Sequence, residues 1–178
     1  MAISGIQIKL DNVSKILGAI KTMTSHDVLV GYPEDKDTPR TGDGPQVTNA
    51  LIAFVQEHGS PAMNIPARPF MVPGIRSVKE RAVEMLKRAA LLGLQGKSED
   101  AMNVLQSLGQ IGVTAVQKAI TVGAGWPPLA ESTLEARLRR GVKRTHPLID
   151  TGQLRQHVTY VIRRKAFHVS LSKVESAE

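Results

Sequence analysis

The sequence predicts an α+β protein, because helical and strand patterns occupy different parts of the chain. Over residues 74–122 the apolar residues recur at the three- and four-residue spacing of helices. Strand patterns occur near residues 28–33 and again after residue 157. The length of 178 residues and the hydrophobic content of 42% suit a single domain with its own core.

The first part of the chain is predicted to hold two helices, a strand and a loop. Residues 12–22 should form a short amphipathic helix, and the compact apolar run at residues 28–33 should form a buried strand. Residues 34–45 are rich in Asp, Pro, Gly and Thr, which predicts an exposed, flexible loop. The next helix begins near Val47 and should end near His58, since Gly59 can adopt the left-handed conformation.

The middle of the chain is predicted to hold an extended arm and a helical hairpin. Residues 60–73 contain four prolines, which exclude a regular helix and favour a path with little freedom. The hairpin should cover residues 74–122 and break at residues 93–96, with Ser98 capping its second helix. Gly109 and Gly112 should permit the close approach of a neighbouring element.

The last part is predicted to hold a loop around Trp126, a short helix over residues 132–140 and a terminal hairpin. We expect Trp126 to anchor its loop, either in the core or as a hot spot against a partner. Apolar residues alternate after residue 157, and a second strand-like run follows at residues 167–171. The sequence therefore predicts an antiparallel hairpin over residues 157–171.

The tripeptide Asp150-Thr151-Gly152 is the one that carries the catalytic carboxylate of aspartic proteases. Such enzymes pair two carboxylates that share a proton, so a chain with one copy would have to act as a homodimer. Only 26 residues follow Gly152, which is too few for the flap and the remaining strands of a protease. We expect instead that Asp150 or Thr151 caps a helix that begins near Gln153.

Positive charge is concentrated near the end of the sequence. Residues 136–165 carry a net charge of +8, so the other residues sum to about −1 within the total of +7. A basic block can face phosphate, an acidic protein surface or solvent alone. The candidate interface residues in this block are Arg139, Arg140, Arg163 and Arg164.

The sequence lacks the usual features of several protein classes. It contains no cysteine, which excludes disulfides, thiol nucleophiles and cysteine-based metal sites. Its histidines lack a metal-binding spacing, and no phosphate-binding glycine motif or serine-hydrolase motif occurs, so we expect no catalytic residue, metal or cofactor. Aromatic residues make up 3%, few for stacking bases. Neither a signal peptide nor a long apolar stretch is evident, so we expect no membrane partner.

Five segments occur in an informative order along the chain. They are AFVQEHG at residues 53–59, IPARPFM at residues 65–71, the long helical region, WPPL at residues 126–129 leading to Ser132-Thr133, and PLIDTGQL at residues 147–154. Together they resemble the virion morphogenesis proteins of tailed bacteriophages, and more narrowly the neck and tail-completion family. The resemblance covers about residues 47–164, and the long region at residues 97–122 departs from the typical shorter members.

Members of that family are non-enzymatic structural proteins that form rings at the joint between head and tail, or cap the tail tube. The resemblance implies an α+β fold in which a small sheet packs with long helices. It also implies assembly with itself as a ring of six or twelve copies, contact with adjacent neck, connector or tail-tube proteins, and a passing contact with genomic DNA in the lumen. The protein would then be a virion component assembled in the host cytoplasm.

The same resemblance assigns a role to the proline-rich arm. Residues 65–71 would be a rigid brace in which Arg68 pairs with a carboxylate and Phe70 fills a pocket, either on a neighbour or in the subunit's own core. The alternative functions are a basic nucleic-acid-binding protein and, third, the dimeric aspartic protease. No helix-turn-helix, zinc finger or base-stacking pattern accompanies the basic block.

Overall fold

A computed structural model describes residues 25–37 and 47–164, together with Ser14 and Leu17. In these residues a two-stranded antiparallel sheet and six α-helices form an α+β fold, as the sequence predicts. The strands are β1 (His26–Gly31) and β2 (Thr159–Arg164). The helices, in chain order, are α1 (Asn49–His58), α2 (Met71–Arg76), α3 (Lys79–Leu94), α4 (Ser98–Val122), α5 (Glu131–Arg139) and α6 (Gln153–Gln156).

The sheet joins two strands that are far apart in the sequence. His26 lies opposite Arg164 at one end of the antiparallel pair, and Gly31 lies opposite Thr159 at the other. The strand predicted at residues 28–33 is β1, which is partly buried rather than buried. The predicted terminal hairpin has its first strand in β2, whose partner in the described residues is β1. Its second strand, at residues 167–171, lies outside the described residues. The alternation of apolar and polar residues identifies a strand and its buried face, but it does not identify the strand with which it pairs.

Helix α4 is the central element of the fold, since both strands and the helices α2, α3 and α6 pack against it. A Cβ atom at Gly109 would collide with the ring of Tyr160, and one at Gly112 would lie 2.8 Å from Cγ2 of Val30. The predicted close approach at these glycines is therefore confirmed, and the approaching element is the sheet. The core that forms around this contact comprises Ala53, Phe70, Val113, Val116, Ile120, Leu148, Leu154 and Val158.

The predicted helical hairpin is present, but it follows a separate short helix. Helix α2 ends at Arg76, and the hairpin itself consists of α3 and α4 joined through Gly96, which has a φ of 79°. Helix α2 also includes Pro73, so the extended arm expected at residues 60–73 ends earlier, at Phe70. A proline is tolerated in the first turn of a helix, where its missing N–H has no partner to lose. Ser98 is the first residue of α4 and not its cap.

The loop predicted at residues 34–45 is exposed at Glu34 and Asp35, as expected, but its start is not irregular. Glu34–Lys36 form a turn of 3-10 helix, and Asp37 is buried. The Asp37 carboxylate accepts hydrogen bonds from the backbone N–H groups of Asn49 at 3.0 Å and Ala50 at 2.6 Å. These groups begin α1, where N–H groups without helical partners favour a negative charge. Residues 38–46 lie outside the described residues, as does the helix predicted at residues 12–22 apart from Ser14 and Leu17.

We expect Asp37 to make the stability of the protein depend on pH. Burial acts to raise the pKa of Asp37, but the hydrogen bonds from Ala50 and Asn49 outweigh it, so the pKa lies below its ordinary value. A lowered pKa in the folded state adds stability above the unfolded pKa of about 3.9, and this stability is lost as pH falls through the folded pKa. Asp37→Asn should therefore lower the melting temperature at neutral pH, and the difference should shrink below pH ~4. A difference that is the same at every pH would contradict a role for the charge.

No helix in the described part of the chain is both long enough and apolar enough to cross a membrane.

Candidate functional site: a cleft lined by the resembling segments

The four short segments that carry the resemblance lie side by side and line one open cleft of about 900 Å³. One side is formed by the end of α1 and the proline-rich segment that follows it. The other side is formed by the residues after Trp126, the start of α5 and residues 147–154. Segments that are widely separated in sequence thus contribute to one surface, through residues such as Gln56, Arg68, Pro128, Thr133, Arg137 and Asp150.

The proline-rich side of the cleft is fixed to α1 at several points. Helix α1 ends at His58 as expected, and Gly59 has a φ of 76°, although its ψ of 173° is extended rather than left-handed. A Cβ atom at Gly59 would lie 2.9 Å from the backbone nitrogen of Ala67, so the glycine allows the returning chain to pass close by. The N–H group of Arg68 donates to the carbonyl of Gln56 at 2.6 Å.

Glu57 joins this side of the cleft to helix α2. Its carboxylate accepts hydrogen bonds from the N–H groups of Phe70 at 2.6 Å, Met71 at 2.8 Å and Val72 at 3.0 Å. These are the first N–H groups of α2, which has no side-chain cap of its own. Glu57 of α1 therefore caps α2, although α2 begins 14 residues later along the chain. The capping role of Glu57 was not identified from the sequence, because a cap that comes from another helix leaves no pattern in the residues next to the capped helix.

Arg68 and Phe70, both candidate interface residues, lie in the subunit interior, which is one of the two alternatives that the sequence left open. Arg68 is 5% exposed and Phe70 is fully buried. The guanidinium of Arg68 donates to the carbonyls of Pro127 at 3.2 Å and Pro128 at 3.0 Å, where a carboxylate was expected. Burial, together with the nearby charge of Arg137, lowers the pKa of Arg68. The prolines predicted a rigid segment, but they could not predict that the side chains of Arg68 and Phe70 would be buried inside the subunit.

Trp126 ties the second side of the cleft to the first. Its indole N–H donates to the carbonyl of Pro69 at 3.1 Å, and its partly buried ring packs against the core. The ring also meets His146 edge-on, with the ring centroids 5.9 Å apart. Trp126 thus acts as an anchor within the subunit, one of the two roles expected of it.

Arg137 holds the loop that precedes α6. The side chain is 4% exposed, and its guanidinium donates to the carbonyls of Arg144 at 2.8 Å, His146 at 2.8 Å and Pro147 at 3.1 Å. Sequence reasoning did not separate Arg137 from its exposed neighbour Arg139. The only local signal is its position three residues after Leu134, on the inward face of α5.

Asp150 is an ion-pair partner and not the cap of α6, contrary to the prediction. The cap position is occupied by Gly152, whose φ is 90°. The Asp150 carboxylate accepts from Arg140 at 3.0 Å and lies 3.7 Å from Nε of Arg137. Thr151 comes closer to the predicted role, since its hydroxyl oxygen accepts a long hydrogen bond of 3.4 Å from the N–H group of Gln153. The partners of Asp150 in the described residues are guanidinium groups rather than a second carboxylate.

The basic block is partly used within the subunit. Arg137 is interior, Arg140 pairs with Asp150, and Arg163 lies 3.8 Å from Asp27 across the sheet. Arg139 and Arg164 are exposed, and neither forms an ion pair within the described residues. The arginines of the basic block therefore include one buried residue, two that lie near carboxylates, and two exposed residues with no ion pair in the described residues.

The part of the chain that the structure describes holds no group of three or more histidine, aspartate or glutamate side chains that could bind a metal ion. No family model, curated protein or solved structure matches this chain. The cleft is open, its sides are held by buried arginines and an indole, and its surface mixes proline and alanine with polar groups. Such a surface can bind an extended segment of another protein chain without first having to order itself.

Proposed function

We propose that this protein is a structural virion protein of a tailed bacteriophage that forms a ring at the head–tail joint or at the tail end. In this role it completes or terminates the tail, and the cleft receives a segment of the neighbouring subunit. The observation that supports the proposal is that the four short segments resembling the neck and tail-completion family converge on one cleft.

The construction of the cleft suits a contact between subunits. Proline-rich segments that are already fixed lose little entropy when a partner binds, so more of the contact energy appears as affinity. Here Arg68, which lines the cleft and is almost fully buried, donates to the carbonyls of residues 127 and 128, and Trp126 donates to the carbonyl of Pro69. The exposed members of the cleft, such as Ala67, Pro128 and Thr133, are free to meet a neighbour.

If the cleft of one subunit binds a different surface of the next subunit, the contact between them is head-to-tail. Such contacts close into a ring when the rotation between subunits divides the circle. We expect six or twelve copies in the particle, in contact with adjacent neck, connector or tail-tube proteins. Arg139 and Arg164 would then meet an acidic neighbour or the passing genomic DNA at the ring surface.

A substitution at Thr133 tests the role of the cleft. Thr133 is exposed and lines the cleft, whereas Ser132, which is also exposed on the same helix, does not line it. Thr133→Trp should obstruct the cleft and reduce the yield of joined, infectious particles by at least about tenfold, the effect of losing roughly 1.4 kcal/mol of contact energy. Ser132→Trp should leave the yield unchanged, and both variants should keep the melting temperature of the unaltered protein.

Two outcomes would contradict the proposal at different levels. If Thr133→Trp assembles as well as Ser132→Trp, the cleft is not the contact between subunits. If a particle reconstruction finds no closed ring of this chain at the neck or the tail end, the assignment as a ring-forming virion protein is wrong.

A further inference from the structure

A long groove, the hairpin groove, runs between α3 and α4 along one face of the helical hairpin. It consists of two adjoining hollows of about 520 Å³ and 550 Å³, which share Arg81, Ser107 and Ile111. The residues of α4 that line it extend from Asp100 to Lys118, a length of about 27 Å along a helix axis. A groove of this length between two packed helices has the shape that a third helix fills.

The α3 side of the hairpin groove is basic. Arg81 and Arg88 line it, both are exposed, and neither forms an ion pair within the described residues. The two arginines are seven residues apart, which places them on the same side of α3 and about 10.5 Å from each other along its axis. Carboxylates seven residues apart on a facing helix would have the same spacing.

The α4 side of the hairpin groove is polar but uncharged over most of its length. Residues 101–117 contain no Asp, Glu, Lys or Arg, although Asn103, Ser107, Gln110 and Thr114 are exposed there. A solvated surface usually carries charged side chains of both signs, whereas protein interfaces are depleted of lysine and acidic residues and enriched in arginine and methionine. This composition indicates that a partner covers the α4 side.

Partly buried apolar side chains lie between the two sides. They are Met85 and Leu92 of α3 and Val104 and Ile111 of α4. Covering such side chains with apolar residues of a partner contributes about 25 cal/mol for each Å² removed from water. The occupant that fits therefore has an apolar face with acidic residues along one edge, which is the pattern of an amphipathic helix.

The groove is less suited to nucleic acid, which is held mainly through its phosphates by cations and hydrogen-bond donors. Among the described residues that line it, α4 contributes a single cation, Lys118, at one end. The hydroxyl of Ser107 donates to the carbonyl of Asn103, and that of Thr114 donates to the carbonyl of Gln110, both at 2.9 Å. Neither hydroxyl proton is then available to a phosphate oxygen.

The described helices of a second copy of this chain do not carry the matching acidic pattern. Where one of these helices has two acidic residues, they are four residues apart or adjacent: Glu80 and Glu84 on α3, Glu99 and Asp100 on α4, and Glu131 and Glu135 on α5. None of these pairs has the seven-residue spacing of Arg81 and Arg88. This difference favours a helix from another protein.

We propose that the hairpin groove binds an amphipathic helix of a different protein. Acidic residues seven apart on that helix pair with Arg81 and Arg88, and its apolar residues cover the partly buried side chains between α3 and α4. The three helices then pack as a bundle. No residue lines both this groove and the cleft beside the proline-rich segment, so the two surfaces can be occupied at the same time. The inference does not depend on the proposed function.

Synthetic helical peptides test the proposal on the purified full-length protein. Each peptide of three heptads would carry leucine at the a and d positions and either glutamate or lysine at the e or the g positions. Binding would be measured by fluorescence anisotropy at peptide concentrations too low for self-association. We expect one glutamate peptide to bind at least about tenfold more tightly than either lysine peptide. If no glutamate peptide binds better than the lysine peptides, the proposal is wrong.

Charge reversal in the protein locates the acidic contact. Arg81→Glu combined with Arg88→Glu should weaken the glutamate peptide at least about tenfold and make a lysine peptide the tighter binder. The matched control combines Lys79→Glu with Lys87→Glu, which changes the net charge equally at exposed positions of α3 that do not line the groove. The control should weaken binding less than about twofold. Equal losses in the two double variants would show a general charge effect and overturn the proposal.

Methyl NMR of methionine shows where the peptide lies. Met85 lines the hairpin groove, whereas Met63 is 72% exposed and does not line it. The glutamate peptide should shift the Met85 methyl signal and leave that of Met63 unchanged, and a short DNA duplex should leave both unchanged. An unchanged Met85 signal with the peptide bound, or a DNA duplex that shifts Met85 and displaces the peptide, would contradict the proposed occupant.

Discussion

Arg137→Met should lower the free energy of unfolding by about 3–5 kcal/mol, the usual result of removing one member of a buried charged network. The carbonyls of Arg144, His146 and Pro147 would lose their donor, and Asp150 would lose one of its two guanidinium partners. Methionine keeps much of the apolar stem, so the loss would report on the hydrogen bonds rather than on a cavity. Chemical denaturation of the purified protein measures this difference.

Arg139→Met is the matched control for this prediction. Arg139 lies two residues away on the same helix, is exposed, and makes no ion pair within the described residues. Its replacement should change the free energy of unfolding by less than about 0.5 kcal/mol. Comparable effects at both positions would show that the interior role of Arg137 has been misjudged.

Phe70→Ala should lower the free energy of unfolding by about 3–5 kcal/mol, the range found when a buried aromatic side chain is truncated. Phe70 is fully buried in the core, and the N–H group of the same residue donates to Glu57. Because it joins the proline-rich side of the cleft to α4 and α6, we also expect faster hydrogen exchange at residues 65–69. Denaturation and exchange measurements on the same variant check the two effects.

The second phenylalanine near the cleft provides the control. Phe54 lies on α1, is 62% exposed, and contacts only the ring of His58 among the aromatic groups described. Phe54→Ala should therefore cost less than about 1 kcal/mol. If Phe70→Ala also costs less than this, the proline-rich segment is not held by the core, and its rigidity must come from the backbone contacts with α1.

Much of the local structure was predictable from the sequence. The helical hairpin, the end of α1 at His58, the strand that became β1 and the close approach at Gly109 and Gly112 all agree with the structure. Each rests on a local property, either the spacing of apolar residues or the freedom of glycine. Local properties act within a few residues, so a single sequence displays them directly.

The candidate site was less predictable, because its parts depend on contacts between distant residues. The DTG tripeptide suggested a cap at Asp150, yet the carboxylate lies near Arg137 and Arg140 once α5 has packed beside it. Arg68 was expected to face a carboxylate and is instead bonded to backbone carbonyls 59 and 60 residues further on. The sequence around a charged residue is the same whether its side chain contacts a partner protein, a backbone carbonyl or water.

The sequence by itself determined the α+β class, the position of most helices and the restriction that proline places on the backbone between α1 and α2. Only the tertiary structure decided that β2 pairs with β1. It also decided that Glu57 stabilises the start of α2 and that Asp37 stabilises the start of α1. Finally, it brought the four short segments that carry the family resemblance to one cleft. Periodicity and backbone restrictions are properties of neighbouring residues, whereas strand partners and buried hydrogen bonds follow from the path of the whole chain. The two sides of the cleft are joined by long-range hydrogen bonds from Arg68 and Trp126.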